Sequence, residues 1–198
     1  MASAHPTTTQ QNFEQNPSDV YSVRWSGGGG FGDPFERNLD KIQEDLDNFA
    51  ISQCAARDIY GVILNDDGKI NVARSVDNRN NIRNKRRDKN QKTTRTGDIL
   101  YDVSEFLQLR SDKKGSFWAC RKCNLDLGES YQNYKINCVQ EKREFQEINP
   151  LIGRPDTHID DTVEFRSFYC PGCGVLFDNE IALCDEPVLW DTNLCLSK

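Results

Sequence analysis

Two pairs of cysteines carry the clearest chemical signal in this sequence of 198 residues. Cys120 and Cys123 form one C-x2-C pair, and Cys170 and Cys173 form another after an interval of 46 residues. Two thiolates on a tight turn can point to the same side, and Zn²⁺ prefers four such ligands in a tetrahedron. The spacing therefore predicts one structural zinc ion, whose four sulfur ligands leave no open position for catalysis.

Redox chemistry is an alternative interpretation of the same two pairs, because a C-x-x-C dithiol can cycle through a disulfide. A thioredoxin-like dithiol needs a strand-to-helix junction, and neither pair has this setting. The other cysteines show no such spacing, and we expect each to be a small core residue. They are Cys54, Cys138, Cys184 and Cys195.

Reactive side chains of other kinds are sparse in the sequence. Its two histidines are His5 and His158, and His158 could serve as a metal ligand or a base. The neighbouring acids Asp160 and Asp161 are adjacent, so on a strand they would point to opposite faces. No Ser-His-Asp or Cys-His combination emerges, and we predict no catalytic residues in this chain.

A stretch with strand character lies just before each cysteine pair. Aromatic and β-branched residues are concentrated at 117–118 and again at 163–168. Gly172 and Gly174 give the second pair the backbone freedom that a tight turn needs. We therefore predict a mostly β, zinc-ribbon-like domain over residues 97–198.

The composition is that of a polar chain without a membrane-spanning segment. Charged residues make up 28%, the mean hydropathy is -0.73, and no apolar run approaches the roughly 18 residues that a span needs. A small polar chain often completes its core with a metal or a partner. The N-terminus lacks a secretion signal, and eight cysteines without one indicate the reducing cytoplasm.

The predicted fold class is α+β, with an extended N-terminal arm over residues 1–20 and a small helical and hairpin unit over residues 21–82. Asp33 and Pro34 suit the first positions of a helix. An apolar stripe at helical spacing then follows, formed by Leu39, Ile42, Leu46 and Phe49.

The second half of this unit predicts a helix and a hairpin. Ser52 can cap a short helix that ends at Gly61. Residues 62–64 and 69–72 predict two strands around a turn at 65–68. One apolar stripe and one hairpin cannot close a core unaided, so we expect this unit to pack on something else.

A polar helix over about 73–87 is expected to lead into a basic linker at 83–96. Residues 83–95 hold seven basic residues and one acid, which leaves 18 basic and 30 acidic residues, a net charge of -12, elsewhere. Such a run could bind nucleic acid, so a zinc-ribbon nucleic-acid-binding protein is one alternative. The run lacks interleaved aromatic residues and its flanks are acidic, which favours a connector or a strap across an acidic surface.

Five glycines are concentrated between Gly27 and Gly32, just before the first predicted helix. A glycine run in this position can bind phosphate through free backbone amides. This run lacks the Lys-Ser/Thr of a Walker loop and does not match G-x-G-x-x-G. A strap packed closely on a neighbouring surface explains it better.

The stretches SGGGGFGDPFER and AARDIYGVILNDDGKI resemble the C-terminal end of hydantoinase B/oxoprolinase-type subunits. The matching positions are Gly27 to Gly30, Phe31, Gly32, Asp33, Pro34 and Arg37, then Ala55, Ala56, Arg57, Tyr60, Gly61, Val62, Leu64 and Gly68. The resemblance covers about residues 22–82. It implies that these residues correspond to the C-terminal tail of such a subunit, separated from the large body of that subunit. They would then act as a docking tail.

Residues 97–192 resemble the small gamma subunit of acetone carboxylase. The resemblance rests on a cysteine pair after a strand, on the segment Glu147-Ile148-Asn149-Pro150, and on the stretch FYCPGCGVLFDNE at 168–180. The family is expected to have C-x-C-G at its first pair. Because this chain has C-x2-C there, Cys120 is the ligand that the resemblance supports least.

Together the resemblances imply a subunit of an ATP-dependent ketone carboxylase of the acetone or acetophenone carboxylase type. Such enzymes join a ketone and bicarbonate to give a β-keto acid, and their ATP, bicarbonate and ketone sites would lie on large hydantoinase A-like and B-like subunits. This chain would be the non-catalytic zinc subunit that completes the B-like fold and joins them. A subunit of an ATP-dependent hydantoinase or oxoprolinase, which hydrolyses a cyclic amide, is the alternative.

Overall fold

The computed structural model describes residues 16–18, 20, 30–88, 94–148, 155 and 159–193. Short helices occupy the first half of this part of the chain and two antiparallel sheets the second, which confirms the predicted α+β class. In the same ranges, no helix has both the length and the apolar character needed to cross a membrane. Most of the arm predicted over residues 1–20 lies outside the described residues.

The N-terminal unit, residues 30–88, is built from one 3-10 helix and three α-helices. The 3-10 helix spans Pro34–Glu36, α1 spans Leu39–Asp47, α2 spans Gln53–Asp58 and α3 spans Val72–Lys85. Ser52 caps α2 as predicted, because its side chain accepts a hydrogen bond from the N–H of Ala55. Asn71 caps α3 in the same way through the N–H of Arg74.

The first predicted helix is divided in two. Asp33 caps the 3-10 helix, but this helix stops at Glu36, and Asn38 caps α1 as a separate helix. Ile42 is fully buried, as the apolar stripe predicts. Phe49 lies beyond the end of α1 with φ of 56° and is exposed, so the stripe is wrong at that position.

The predicted hairpin is reduced to a turn closed by a single bridge between Leu64 and Ile70. Backbone hydrogen bonds from Asn65 N–H to Lys69 O and from Asn71 N–H to Ile63 O flank this bridge, but a side chain takes the Ile63 N–H group that would extend the ladder. Ile63 N–H donates to Ser75 Oγ at 2.8 Å, and Ile70 N–H donates to Gln43 Oε1 at 2.8 Å. The strands predicted on each side of the turn are therefore wrong, although the turn itself is present.

The C-terminal domain contains two antiparallel sheets with sequential strand order. The first sheet comprises β1 (Asp98–Asp102), β2 (Leu107–Asp112), β3 (Gly115–Cys120) and β4 (Asp126–Glu129), and the second comprises β5 (Val139–Arg143), β6 (Val163–Tyr169) and β7 (Leu176–Leu183). A 3-10 helix, Tyr134–Asn137, connects the sheets, and α4 (Phe145–Ile148) follows β5. The cysteine pairs come at the ends of β3 and β6, as predicted.

The main core packs around the cysteines of the C-terminal domain. Its buried members include Leu107, Leu109, Trp118, Leu127 and Val175, together with two of the cysteines. The N-terminal unit has a smaller core, in which Ile42, Ala56 and Val62 are the fully buried apolar residues of the described part. Because burial stabilises roughly in proportion to apolar area, this unit depends on contacts outside its own core.

Several arginines of the basic linker contact the rest of the chain in the part that the structure describes. α3 runs to Lys85, and Arg83 Nη2 pairs with Glu36 Oε1 at 2.6 Å. Arg95 binds Asp112 at 2.7 Å. These arginines are taken up by intramolecular partners, which counts against a nucleic-acid surface.

Candidate metal centre

The first cysteine pair lies on a tight turn at the end of β3. Cys120 N–H donates to Leu125 O at 2.9 Å, and Asn124 N–H donates to Cys120 O at 2.8 Å. The turn requires Asn124 to adopt a left-handed conformation with φ of 60°, which asparagine tolerates better than most residues. We call residues 120–125 the first knuckle.

The second cysteine pair repeats this geometry after β6. Cys170 N–H donates to Val175 O at 2.9 Å, and Gly174 N–H donates to Cys170 O at 2.8 Å. Gly174 takes the left-handed position with φ of 72°, so the turn uses the backbone freedom that the sequence indicates there. We call residues 170–175 the second knuckle.

The two knuckles bring four sulfur atoms together. Cys120 Sγ lies 3.8 Å from Cys173 Sγ, Cys123 Sγ lies 3.5 Å from Cys170 Sγ, and all four sulfurs are within 4.8 Å of one another. Zinc–sulfur bonds of about 2.3 Å in a tetrahedron would place the sulfurs about 3.8 Å apart. The cluster therefore has the dimensions of a four-sulfur zinc site, and it includes Cys120, which the family resemblance supports least.

Thiols this close do not keep their ordinary acidity. Interactions with the neighbouring thiols, that of Cys120 first, lower the pKa of Cys123 and lower the pKa of Cys173 to about 7. The hydrogen bond with Cys123 makes the thiol proton of Cys120 harder to remove and raises its pKa, and the hydrogen bond with Cys120 does the same for Cys170. A cation that replaced these protons would bind four thiolates, the form in which cysteine is a metal ligand.

The site has no room for a substrate. Cys120 and Cys170 are buried, and the knuckles pack against each other so closely that a Cβ at Gly172 would lie 3.0 Å from Cys123 Sγ. Four sulfur ligands would complete the shell of a tetrahedral ion. This arrangement suits a structural metal and leaves no position for a reacting water.

The described end of the glycine run borders an open cavity next to β7. Gly30 and Gly32 have positive φ angles, and the cavity of about 340 Å³ is also lined by Tyr60, Glu105 and Asn179. A Cβ at Gly32 would meet the movable Glu105 carboxylate, and the positive φ of 68° is what favours glycine there. Burial raises the pKa of Glu105, and the nearby acids add to the effect.

This cavity holds no nucleophile paired with a base among its described residues. Residues 27–29 lie outside the described residues, so the predicted strap is seen only at its last positions. There it packs on the chain's own Glu105. The positive φ of Gly32 accounts for a glycine at this position without a phosphate ligand.

The remaining cysteines do not join the cluster in the described part of the chain. Cys54 and Cys184 are exposed, so the expectation that they are core residues is wrong. Cys138 is partly buried against the main core, and burial raises its pKa. Cys195, expected to be a core residue, and His158, considered as a metal ligand or a base, lie outside the described residues.

A buried ion cluster in the C-terminal domain has no signature in the sequence. Lys135 is buried, and its Nζ lies 2.6 Å from Asp178 Oδ2 and 3.0 Å from Asp191 Oδ2. Burial by itself lowers the pKa of Lys135, but the hydrogen bonds to these acids outweigh it and raise the pKa. The acidic partners of Lys135 are remote from it in sequence, so no local residue spacing could predict these ion pairs.

A comparison with known protein families places a match on the half of the chain that carries the knuckles. The sequence model of the acetone carboxylase gamma subunit family matches residues 94–198. The acetophenone carboxylase beta subunit of Aromatoleum aromaticum is 31% identical over 91 residues, which is 44% of this chain and 69% of that protein. The resemblance of residues 22–82 to hydantoinase B lies outside the family match and stays a prediction. The resemblance seen over residues 97–192 is confirmed, and the chain belongs to the acetone carboxylase gamma subunit family.

Proposed function

We propose that this chain is a non-catalytic, structural zinc-binding subunit of a multisubunit, ATP-dependent ketone carboxylase. Membership of the acetone carboxylase gamma subunit family supports a role in a carboxylase. The structural role rests on one observation, the four converging sulfurs that would fill the shell of a metal ion. We also propose the division into a tail-like unit at 21–82, a linker at 83–96 and a zinc domain at 97–198.

The four cysteines would tie two remote parts of the chain together. Cys120 and Cys123 lie at the turn between β3 and β4 of the first sheet, whereas Cys170 and Cys173 lie between β6 and β7 of the second. Zinc would supply only its bonds to the four thiolates. Its binding free energy, on the order of 10 kcal/mol in small zinc domains, would be coupled to folding.

The chemistry of the reaction is assigned to partner subunits in this proposal. Large hydantoinase A-like and B-like subunits would bind ATP, bicarbonate and the ketone, and they would form the β-keto acid. The lack of a reactive pair in the described cavity supports this division of labour. The small core of the N-terminal unit supports a role in completing and joining the large subunits. The location in this proposal is the reducing cytoplasm, where cysteines stay free to bind a metal.

Co-purification and reconstitution test the proposal. A tagged chain, expressed with large hydantoinase-like subunits from the same genome, should capture both of them, and the assembly should hydrolyse ATP in a manner that requires bicarbonate and a ketone. Leaving this chain out should prevent assembly. A chain that stays alone would contradict the proposal, and ATP turnover that requires a cyclic amide without bicarbonate would favour the hydantoinase alternative.

A further inference from the structure

We infer that the outer surface of the two knuckles is a metal-dependent docking site for the N-terminal unit. We call this surface the knuckle platform: the side chains of Lys122 and Tyr169 with the backbone of residues 171–176. The inference rests on the proposed zinc ion. It adds that the metal controls the position of residues 30–88, which lie outside the family match.

Asp33 connects the N-terminal unit to the platform through one buried carboxylate. Its Oδ1 accepts a hydrogen bond from Phe35 N–H at 2.9 Å and thereby caps the 3-10 helix. Its Oδ2 accepts a hydrogen bond from Leu176 N–H at 3.2 Å, directly after the second knuckle. The same side chain thus starts the first helix and attaches it to the platform.

The end of α3 lies against the second knuckle. A Cβ at Gly174 would lie 2.4 Å from Arg83 O, so the two backbones are in close contact. Asp88 N–H donates to Pro171 O at 3.1 Å. Three backbone groups of the platform, at 171, 174 and 176, therefore receive the N-terminal unit.

Side-chain contacts add to these backbone contacts. The guanidinium carbon of Arg86 lies 4.7 Å from the ring centroid of Phe35 and 4.3 Å from that of Tyr169. Arg86 therefore links an aromatic residue of each unit through cation–π contacts. Glu36 pairs with Lys122 of the first knuckle, so both knuckles take part in the docking.

The metal is expected to control this surface because the contacts depend on the conformation of the turn. Pro171 and Gly174 each adjoin a cysteine ligand. The carbonyl of Pro171 and the Cα of Gly174 can contact the N-terminal unit only while the knuckle keeps its turn. Without the ion, the four thiols would lose the bonds that fix both knuckles. The small core of the N-terminal unit would then lack its platform. By linkage, the docked unit must in turn tighten metal binding.

Hydrogen–deuterium exchange on the full-length, zinc-loaded chain tests the inference. Zinc content is measured first, and its absence would overturn the proposed metal role directly. On chelation, amides of residues 30–88 should lose protection together with those of the knuckles. If residues 30–88 keep their protection while the knuckles lose theirs, the docking inference is wrong although the zinc role stands.

A pair of arginine variants tests the reverse direction of the linkage. Arg86→Ala removes one of the contacts between the units, the cation–π contact with Tyr169, whereas Arg74→Ala changes an exposed arginine on the same helix. Arg86→Ala should speed zinc transfer to a chelator roughly three- to tenfold, since a partly buried cation–π contact is lost. Arg74→Ala should leave this rate unchanged. Equal rates for Arg86→Ala and the wild type would contradict the coupling.

Discussion

Lys135 Nζ lies 2.6 Å from Asp178 Oδ2, at a position where the lysine side chain is fully shielded from solvent. The same ammonium group lies 3.5 Å from Glu180 Oε2 and 3.0 Å from Asp191 Oδ2. The lysine belongs to the 3-10 helix between the sheets, whereas its partners belong to β7 and the segment after it. One buried cation thus holds together three parts of the C-terminal domain.

Replacing Lys135 by methionine should lower the free energy of unfolding by about 1–3 kcal/mol, because three carboxylates lose their shared cation. The loss stays below that of a fully buried pair, since Asp178 and Asp191 are partly exposed and Glu180 keeps its bond to Arg166. Urea unfolding of the zinc-loaded protein measures this change. Lys113→Met is the matched control, since Lys113 is an exposed lysine of the same domain, and it should change stability by less than about 0.5 kcal/mol. Similar values for the two variants would show that the buried cluster contributes nothing.

The ion pair between Arg95 and Asp112 should make the stability of the protein depend on pH. Hydrogen bonds from Arg95 hold the pKa of Asp112 well below its usual value. A carboxylate whose pKa is depressed on folding stabilises the native state above its unfolded pKa of about 3.9, and this contribution is lost as the pH falls below that value. The destabilisation caused by Asp112→Asn should therefore be constant between about pH 5 and 8 and should shrink below about pH 4.

Unfolding curves of the wild type and Asp112→Asn across this pH range provide the measurement. Asp66→Asn, at an exposed turn position of the other unit, is the control and should have little effect at any pH. A cost of Asp112→Asn that grows as the pH falls from 7 to about 5 would contradict the depressed pKa.

The parts of this structure that could be predicted are those that local backbone chemistry decides. The knuckles follow from cysteine spacing, and the cap at Ser52 follows from a hydroxyl that can reach the first free N–H groups of a helix. The early end of the hairpin ladder could not be predicted, because Ser75, from elsewhere in the chain, takes the N–H group of Ile63. Likewise, Asp33 suits a helix cap, but its second bond reaches Leu176, a residue remote in sequence.

Gly174 and Asn124 occupy equivalent left-handed positions in the two knuckles, which allows strain and collision to be separated. Gly174→Ala should cost roughly 1–2 kcal/mol in backbone strain. Asn124→Ala should cost about as much, because alanine tolerates this conformation less well than asparagine and the 2.7 Å hydrogen bond from Arg110 Nη2 to Asn124 Oδ1 is lost. Gly174→Ala should cost about 1–3 kcal/mol more, because its Cβ would also meet Arg83 O at 2.4 Å. Thermal and urea unfolding of both variants measure the difference. Equal costs would mean that α3 moves away from the second knuckle without loss of stability.

Metal analysis of cysteine variants tests the ligand set directly. The wild type should contain one zinc ion per chain, and Cys120→Ser should lose it, because serine replaces a thiolate in the cluster. Cys138→Ser is the matched control, since Cys138 packs against the same core but lies outside the cluster. This variant should keep its zinc and only lose some stability. Retained zinc in Cys120→Ser would show that Cys120 is not a ligand. Cys120 is also the position at which the sequence departs from the cysteine spacing expected of the family.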